Sequence, residues 1–200
     1  MSQDPNSVPG QSGRLAGREI LLCATGGIAC YKTADLASKL VQDGAGVTVA
    51  MSDAAQQFVT PLTFQTLTAR KVFTTMWQPS DDYSPQHISL TERAELMVIA
   101  PATADILAKL AAGIADDLVS TLALSAFGAC PLLVAPAMNT RMWLAPPTQA
   151  NMTRIRQWGV HVIEPADGRL ACGTIGPGRM AEPLDILARV REILGPGGKL

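Results

Sequence analysis

Five short, uniformly apolar runs alternate along this chain with helix-patterned sequence, and that alternation leaves few folds open. The runs are Glu19–Ala24, Val47–Met51, Leu96–Ala100, Pro131–Ala135 and Gly159–Ile163. A strand apolar on both sides has to be buried on both faces, which is the situation of a parallel sheet covered by helices. Helical pattern fills the slots Ile28–Gln42, Thr103–Ala112, Asp117–Ala126, Pro147–Trp158 and Pro183–Leu194, and Asp43-Gly44-Ala45-Gly46 breaks the first of these. Strands alternating with helices mean βαβ units. The expectation is an α/β fold: a single Rossmann-like (flavodoxin-like) domain, with a parallel sheet and helices on both faces.

Length and charge narrow the rest. The 200 residues suffice for one well-buried domain and are short for two. Met1–Gly17 has no apolar signal core and reads as a disordered extension, 18–194 as the domain, and 195–200 as a tail or the start of a linker. A formal net charge of −1 offers no basic footprint for nucleic acid or an anionic membrane. No apolar stretch approaches the roughly 20 residues of a membrane span, and the expected location is cytoplasmic. The four cysteines, Cys23, Cys30, Cys130 and Cys172, form no CxxC pair and no zinc spacing, so no metal is expected. Cys23 and Cys130 read as small core residues. Cys172 sits in a glycine-rich segment with nothing apolar to pack into, where a reactive thiol is as reasonable as a structural one.

In open α/β sheets ligands bind beyond the carboxyl ends of the strands, so the residues there carry the chemistry. The first strand runs into Thr25-Gly26-Gly27-Ile28, which lacks the dinucleotide spacing and the P-loop lysine but can cradle one phosphate at a helix start. The competing reading is glycine used only for a tight turn. Ser52, after the second strand, is placed to cap a helix or to help hold an anion. Ala100-Pro101-Ala102-Thr103-Ala104-Asp105 offers small residues and a hydroxyl with room for a flat ring, although Thr103 can also simply cap its helix. Asp116 and Asp117 suit a helix N-terminus by its dipole alone. Met138–Trp143 gathers an amide, two thioethers and an indole at a strand end, fit to grip a carboxylate or amide out of water. His87 follows a polar, turn-rich segment and reads as solvated or as a base, and His161 as structural. Leu170–Pro183 is either a flap that closes over a ligand or an ordinary surface loop; in it Cys172 can give a proton and Arg179 can pair with an anion.

Together these segments, from about Gly17 to Leu194, resemble the homo-oligomeric flavin-containing cysteine decarboxylases. Pro136-Ala-Met-Asn-Thr-Arg-Met-Trp143 and Ala171-Cys-Gly-Thr-Ile-Gly-Pro-Gly-Arg-Met-Ala-Glu-Pro183 carry most of the likeness, with His87-Ile-Ser-Leu90 and Ala100–Ile106 in matching order. The resemblance implies FMN as cofactor, held by Gly26, Gly27, Ile28 and Ser52 at its phosphate end and lined by Phe58, Thr103, Ala104, Asp105, Ile106 and Ala137. At Asp105 parts of the family carry Asn, while bacterial bifunctional members resemble this chain. It implies His87, Cys172 and Asn139 as catalytic residues, and Asn139, Met142 and Arg179 as substrate contacts. The implied reaction is decarboxylation of 4′-phosphopantothenoylcysteine to 4′-phosphopantetheine in coenzyme A biosynthesis. It further implies homotrimers with the flavin at the subunit interface, their assembly into homododecamers, and a fused or separate phosphopantothenoylcysteine synthetase. The competing activity is oxidative decarboxylation of a peptidyl cysteine, as in lantibiotic maturation, which needs no proton donor; a flavin prenyltransferase and a non-catalytic flavoprotein subunit fit the cluster of Asn139, His87 and Cys172 less well.

Overall fold

The computed structural model describes residues 13–77, 86–169, 173 and 175–195; the side chains of residues 86, 87 and 169 lie outside that description. Six parallel strands form the main sheet: β1 (Glu19–Ala24), β2 (Gly46–Met51), β3 (Val72–Phe73), β4 (Leu96–Ala102), β5 (Leu132–Pro136) and β6 (His161–Val162). Their order across the sheet is β3-β2-β1-β4-β5-β6. The chain winds outward from β1 in one direction, then returns to start β4 on the other side. This is the doubly wound α/β arrangement expected from the sequence, and its switch point lies between β1 and β4.

The period of two along the strands divides the interior into two cores. Ile20, Leu22 and Ala24 of β1 face one side, with Val47, Val49, Val98 and Leu133. Helices α1 (Cys30–Gln42), α2 (Pro61–Thr68) and α8 (Pro183–Ile193) cover that side, contributing Leu36, Leu40, Phe64, Ile186 and Val190. Leu21 and Cys23 face the other side with Met97, Ile99 and Val134, under α3 (Gln86–Arg93), α4 (Ala104–Ala112), α5 (Leu118–Ala126) and α7 (Pro146–Gln157). The uniformly apolar strands thus serve two hydrophobic layers at once.

Local chemistry sets the helix ends. The Thr103 hydroxyl caps α4 by accepting from the Ile106 N–H at 3.4 Å, and Gly113, in the left-handed region, ends that helix. Asp117 and Ser120 form a reciprocal capping box on α5. Proline opens α2, α7 and α8, where its missing N–H costs nothing.

Several features depart from the sequence expectation. The fifth run pairs only at His161 and Val162, because Gly159 at φ +84° ends α7 and its neighbours turn back toward the sheet edge. The fold also reaches further toward the N-terminus than residue 18: the Leu15 N–H donates to the Asp43 carbonyl at 3.0 Å, and the Leu15 side chain is buried in the first core. The glycine-rich segment is flanked by a second, two-stranded antiparallel sheet, β7 (Ala166–Arg169) with β8 (Ile175–Arg179). A short helix, α6 (Thr140–Trp143), follows β5. Among the described residues no helix is long and apolar enough to cross a membrane, and no three His, Cys, Asp or Glu side chains gather as a metal site.

Candidate functional site

The carboxyl ends of β1, β2, β4 and β5 open into one cleft of about 1240 Å³ at the switch point. That exceeds the roughly 300–1,000 Å³ usual for a single small ligand, which leaves room for a cofactor and part of a second molecule.

Two threonines from the first βα unit build its floor. The Thr25 hydroxyl donates to the Pro101 carbonyl at 2.6 Å, and the Thr33 hydroxyl donates to the Ala100 carbonyl at 2.6 Å. The Thr103 N–H in turn donates to the Thr25 oxygen at 3.3 Å. The crevice is therefore stitched shut at its base by side-chain hydrogen bonds where the two strands diverge. Above it, α1 begins with Ala29 at its cap position and no side-chain cap; the Cys30 and Lys32 N–H groups donate to the Gly27 and Ala29 carbonyls at 3.0 and 2.9 Å, so a ligand anion would be met by the Gly26–Ile28 turn ahead of the helix. A Cβ at Gly26 would sit 2.3 Å from the Ala54 Cβ, whereas one at Gly27 would meet nothing closer than Thr103 Cγ2 at 3.8 Å. Gly26 is thus a packing glycine, and Gly27 leaves space over the cleft. The Ser52 hydroxyl accepts from the Ala55 N–H at 3.2 Å, where a single 3-10 turn begins.

The opposite wall follows β5. The Ala137 N–H donates to the Ala102 carbonyl at 3.0 Å, and the Met138 N–H to the Gly178 carbonyl at 2.9 Å. The second bond ties the β7–β8 hairpin to the cleft. A Cβ at Gly178 would lie 2.2 Å from the Met138 oxygen, so only glycine permits this approach. Asn139 caps α6, its Oδ1 accepting from the Arg141 N–H at 2.8 Å. That bond fixes the orientation of the amide at the start of α6.

Charged groups gather at the cleft in two clusters. The Lys109 ammonium lies 2.6 Å from Asp117, 2.9 Å from Asp116 and 3.4 Å from Asp105. These carboxylates, Asp117 foremost, hold the Lys109 pKa well above its ordinary value. Burial works against the Asp117 carboxylate, but Lys109 and the Ser120 bonds outweigh it and keep its pKa lowered. On the other side Lys32 is buried and donates to the Met180 carbonyl at 3.2 Å and to Glu182 at 2.9 Å. Lys32 and then Arg179 lower the pKa of the Glu182 carboxyl.

Gly26, Gly27, Ile28, Ser52, Thr103, Ala104, Asp105, Ile106, Ala137, Asn139, Met142 and Arg179 all line this cleft. Phe58 does not: it follows the 3-10 turn and is about half exposed. His87 lies in the first turn of α3, with its side chain outside the described residues, and Cys172 lies outside them altogether, between β7 and β8. Of the other cysteines, Cys23, Cys30 and Cys130 are free and buried, and burial raises the pKa of each thiol. His161 is half-buried beside Arg189, and burial together with that positive charge lowers its pKa.

Sequence reasoning missed Lys32 and Lys109. The signal for Lys32 was its place in the row Lys32–Leu36–Leu40, which puts a lysine on the core face of α1. Lys109 had a weaker one, four residues after Asp105 and just ahead of the Asp116-Asp117 pair.

A parallel α/β domain with a glycine-lined strand-to-helix turn and a large cleft at its switch point fits a nucleotide-like cofactor. The chain belongs to the flavoprotein family, whose model matches residues 10–195, and its cofactor is a flavin. It is 43% identical over 182 residues to the coenzyme A biosynthesis bifunctional protein CoaBC of Vibrio vulnificus, covering 91% of this chain and 45% of that protein. The chain therefore spans less than half the length of such bifunctional relatives. It is 40% identical over 177 residues to a probable phosphopantothenoylcysteine decarboxylase of Streptococcus mutans, covering 88% of this chain and 99% of that one. Among solved structures, a PPC decarboxylase mutant complexed with pantothenoylaminoethenethiol superposes with a TM-score of 0.79 at 32% identity, over 88% of this chain and 98% of that one.

Proposed function

We propose that this domain binds FMN in the cleft and decarboxylates 4′-phosphopantothenoylcysteine to 4′-phosphopantetheine, a step in coenzyme A biosynthesis. The observation that carries the reading is the meeting, in one cleft, of the α1 cradle with the Met138–Asn139–Met142 wall beside the β7–β8 hairpin. The cradle suits a single phosphate. The Gly26–Ile28 turn ahead of α1, the space over Gly27 and the Ser52 hydroxyl frame it, and no dinucleotide fingerprint accompanies them. The stretch from Thr103 to Ile106, with the small Ala104 and a hydroxyl, leaves room for a flat ring.

What the bound flavin supplies is a reversible two-electron oxidation next to the substrate thiol, which gives the carboxylate's electrons a place to go as carbon dioxide leaves and consumes no external oxidant. The chain's own residues do the rest. Asn139 offers amide donors to the substrate carboxylate, and Met138 and Met142 keep water from that contact. Arg179 pairs with an anionic group of the substrate. His87 assists deprotonation or orients the carboxylate, and Cys172 gives the proton that completes the saturated product. In this reading the domain works in the cytoplasm as a homotrimer with FMN at the subunit interface, assembling further into homododecamers. Exposed apolar side chains, Ile28, Tyr31 and Met142 at the cleft and Phe58 after the 3-10 turn, support such an interface. A fused or separate phosphopantothenoylcysteine synthetase would deliver the substrate.

The test is incubation of the flavin-loaded protein with 4′-phosphopantothenoylcysteine, followed by mass spectrometry. Release of carbon dioxide and 4′-phosphopantetheine is expected; absence of decarboxylation overturns the reading. The second reading, an oxidative peptidyl-cysteine decarboxylase, is separated by Cys172→Ser. That variant is expected to decarboxylate but stop at the enethiol, lacking two hydrogens, and normal 4′-phosphopantetheine release from it would remove Cys172 from its role.

A further inference from the structure

Two cations meet a single carboxylate oxygen at the base of the hairpin. Lys32 Nζ donates to Glu182 Oε1 at 2.9 Å, and Arg179 Nη2 donates to that same oxygen. Their surroundings differ: the Lys32 side chain is 8% exposed, that of Arg179 44%. A buried ammonium parted from its anion is left with an uncompensated desolvation cost, so Lys32 and Glu182 stay together. Arg179 is bound more weakly. Its pair is exposed and screened, spans only three residues of chain, and uses one contact where a guanidinium can make a parallel two. Both cations line the cleft.

We propose that Glu182 is the resting partner of Arg179, that an anionic oxygen group of the substrate, carboxylate or phosphate, takes Arg179 over, and that Lys32 is the positioning residue that permits this exchange. The proposal rests on the decarboxylase reading above. When Arg179 leaves, Glu182 keeps the Lys32 charge beside it, so the exchange strands no lone carboxylate. Lys32 also holds the Met180 carbonyl at 3.2 Å, which fixes the backbone next to Arg179 while its side chain moves. Across the hairpin, a Cβ at Gly168 would come within 3.3 Å of Arg179 Nη1; glycine there leaves the guanidinium lateral room.

The experiment uses flavin-loaded protein and 4′-phosphopantothenoylserine, an analogue with no thiol to oxidise, with binding read by calorimetry. Lys32→Met leaves Arg179 as the sole partner of Glu182, and affinity should fall at least fivefold. Lys32→Met combined with Glu182→Gln releases Arg179, and affinity should return to the wild-type level or better. Arg179→Gln should bind weakly whether or not Glu182 is also replaced. If Lys32→Met does not fold, Glu182→Gln alone takes its place, and binding tighter than wild type is expected. Repeating the titrations with pantothenoylserine and with 4′-phosphopantothenoylethanolamine identifies the anion, since the analogue lacking it loses its dependence on Arg179. A purely structural ion pair predicts no rescue in the double variant, and that result overturns the exchange, as does an Arg179→Gln protein that binds like wild type. Failure of the wild type to bind any of the three analogues would instead bring down the decarboxylase reading, and this proposal with it.

Discussion

The Thr25 hydroxyl and the Pro101 carbonyl, 2.6 Å apart, close the fork between β1 and β4 directly beneath the cleft. Thr25→Val keeps the side-chain shape but leaves that buried carbonyl, and the Thr103 N–H, without their partner. The expected cost is about 1–3 kcal/mol in urea unfolding, with weaker flavin binding because the floor spreads. Unchanged stability and unchanged flavin affinity would show that the strand ends hold their spacing without this bond.

Gly26 and Gly27 are adjacent but should fail differently. Gly26→Ala drives a methyl into Ala54 and is expected to lower stability by about 1–3 kcal/mol, as overpacking does. Gly27→Ala meets only ordinary contacts, the nearest Thr103 Cγ2 at 3.8 Å, and should fold with a melting temperature near wild type, yet lose flavin affinity tenfold or more because the methyl fills the cradle. Flavin fluorescence titration beside thermal unfolding separates the two outcomes. A Gly27→Ala protein that binds flavin normally would place the phosphate elsewhere.

Asp43 and Arg191 pair through two bonds, Nε to Oδ2 at 2.8 Å and Nη2 to Oδ1 at 2.7 Å, joining the end of α1 to α8. Arg191 holds the Asp43 carboxyl below its ordinary value of 3.8. The folded state therefore binds fewer protons here than the unfolded chain. The resulting stability is present above pH 3.8 and lost as pH falls through the lowered value. Arg191→Met should cost about 1.5 kcal/mol at pH 7, near the lower end for a bond to a charged group because the arginine is one-third exposed. The gap between variant and wild type should narrow below pH 3.8. A gap independent of pH would assign the loss to packing of the arginine stem.

At the alkaline end Cys130 carries the expectation. Burial pushes its thiol up from 9.0 to about 11. Between those values the unfolded chain gives up the proton while the folded state keeps it, so stability falls as pH rises through that window. The total should be on the order of 2–3 kcal/mol. Cys130→Ala should flatten this slope in denaturant midpoints measured from pH 8.5 upward; an unchanged slope would move its origin to other groups.

The sheet was legible because β1, β2, β4 and β5 are central strands whose burial on both faces forces nearly continuous apolar runs. The edge strand β3 was not, since two paired residues, Val72 and Phe73, make no pattern, and α2 was missed because only Phe64 and Thr68 of its eight residues are buried. Within the cleft, the glycines, Ser52 and Asn139 could be read because they follow strand ends. Lys32 could not be read by the same rule. Its role comes from Met180 and Glu182, nearly 150 residues away in sequence, and only the fold brings them together. The β7–β8 hairpin escaped notice for a related reason: Gly176, Pro177 and Gly178 look like loop sequence, and the strand they form is shaped by close backbone contact with Met138 and Thr140.

That hairpin forms a sheet of its own, bonded to the main body through the Met138 amide and the Lys32 ammonium at its base. None of its strand residues belongs to either core. An exposed side chain of these strands, such as Ile175, can therefore be exchanged without opening the hydrophobic layers. A chain altered there would still fold and hold its flavin, and only the chemistry proposed for the cleft would report the change.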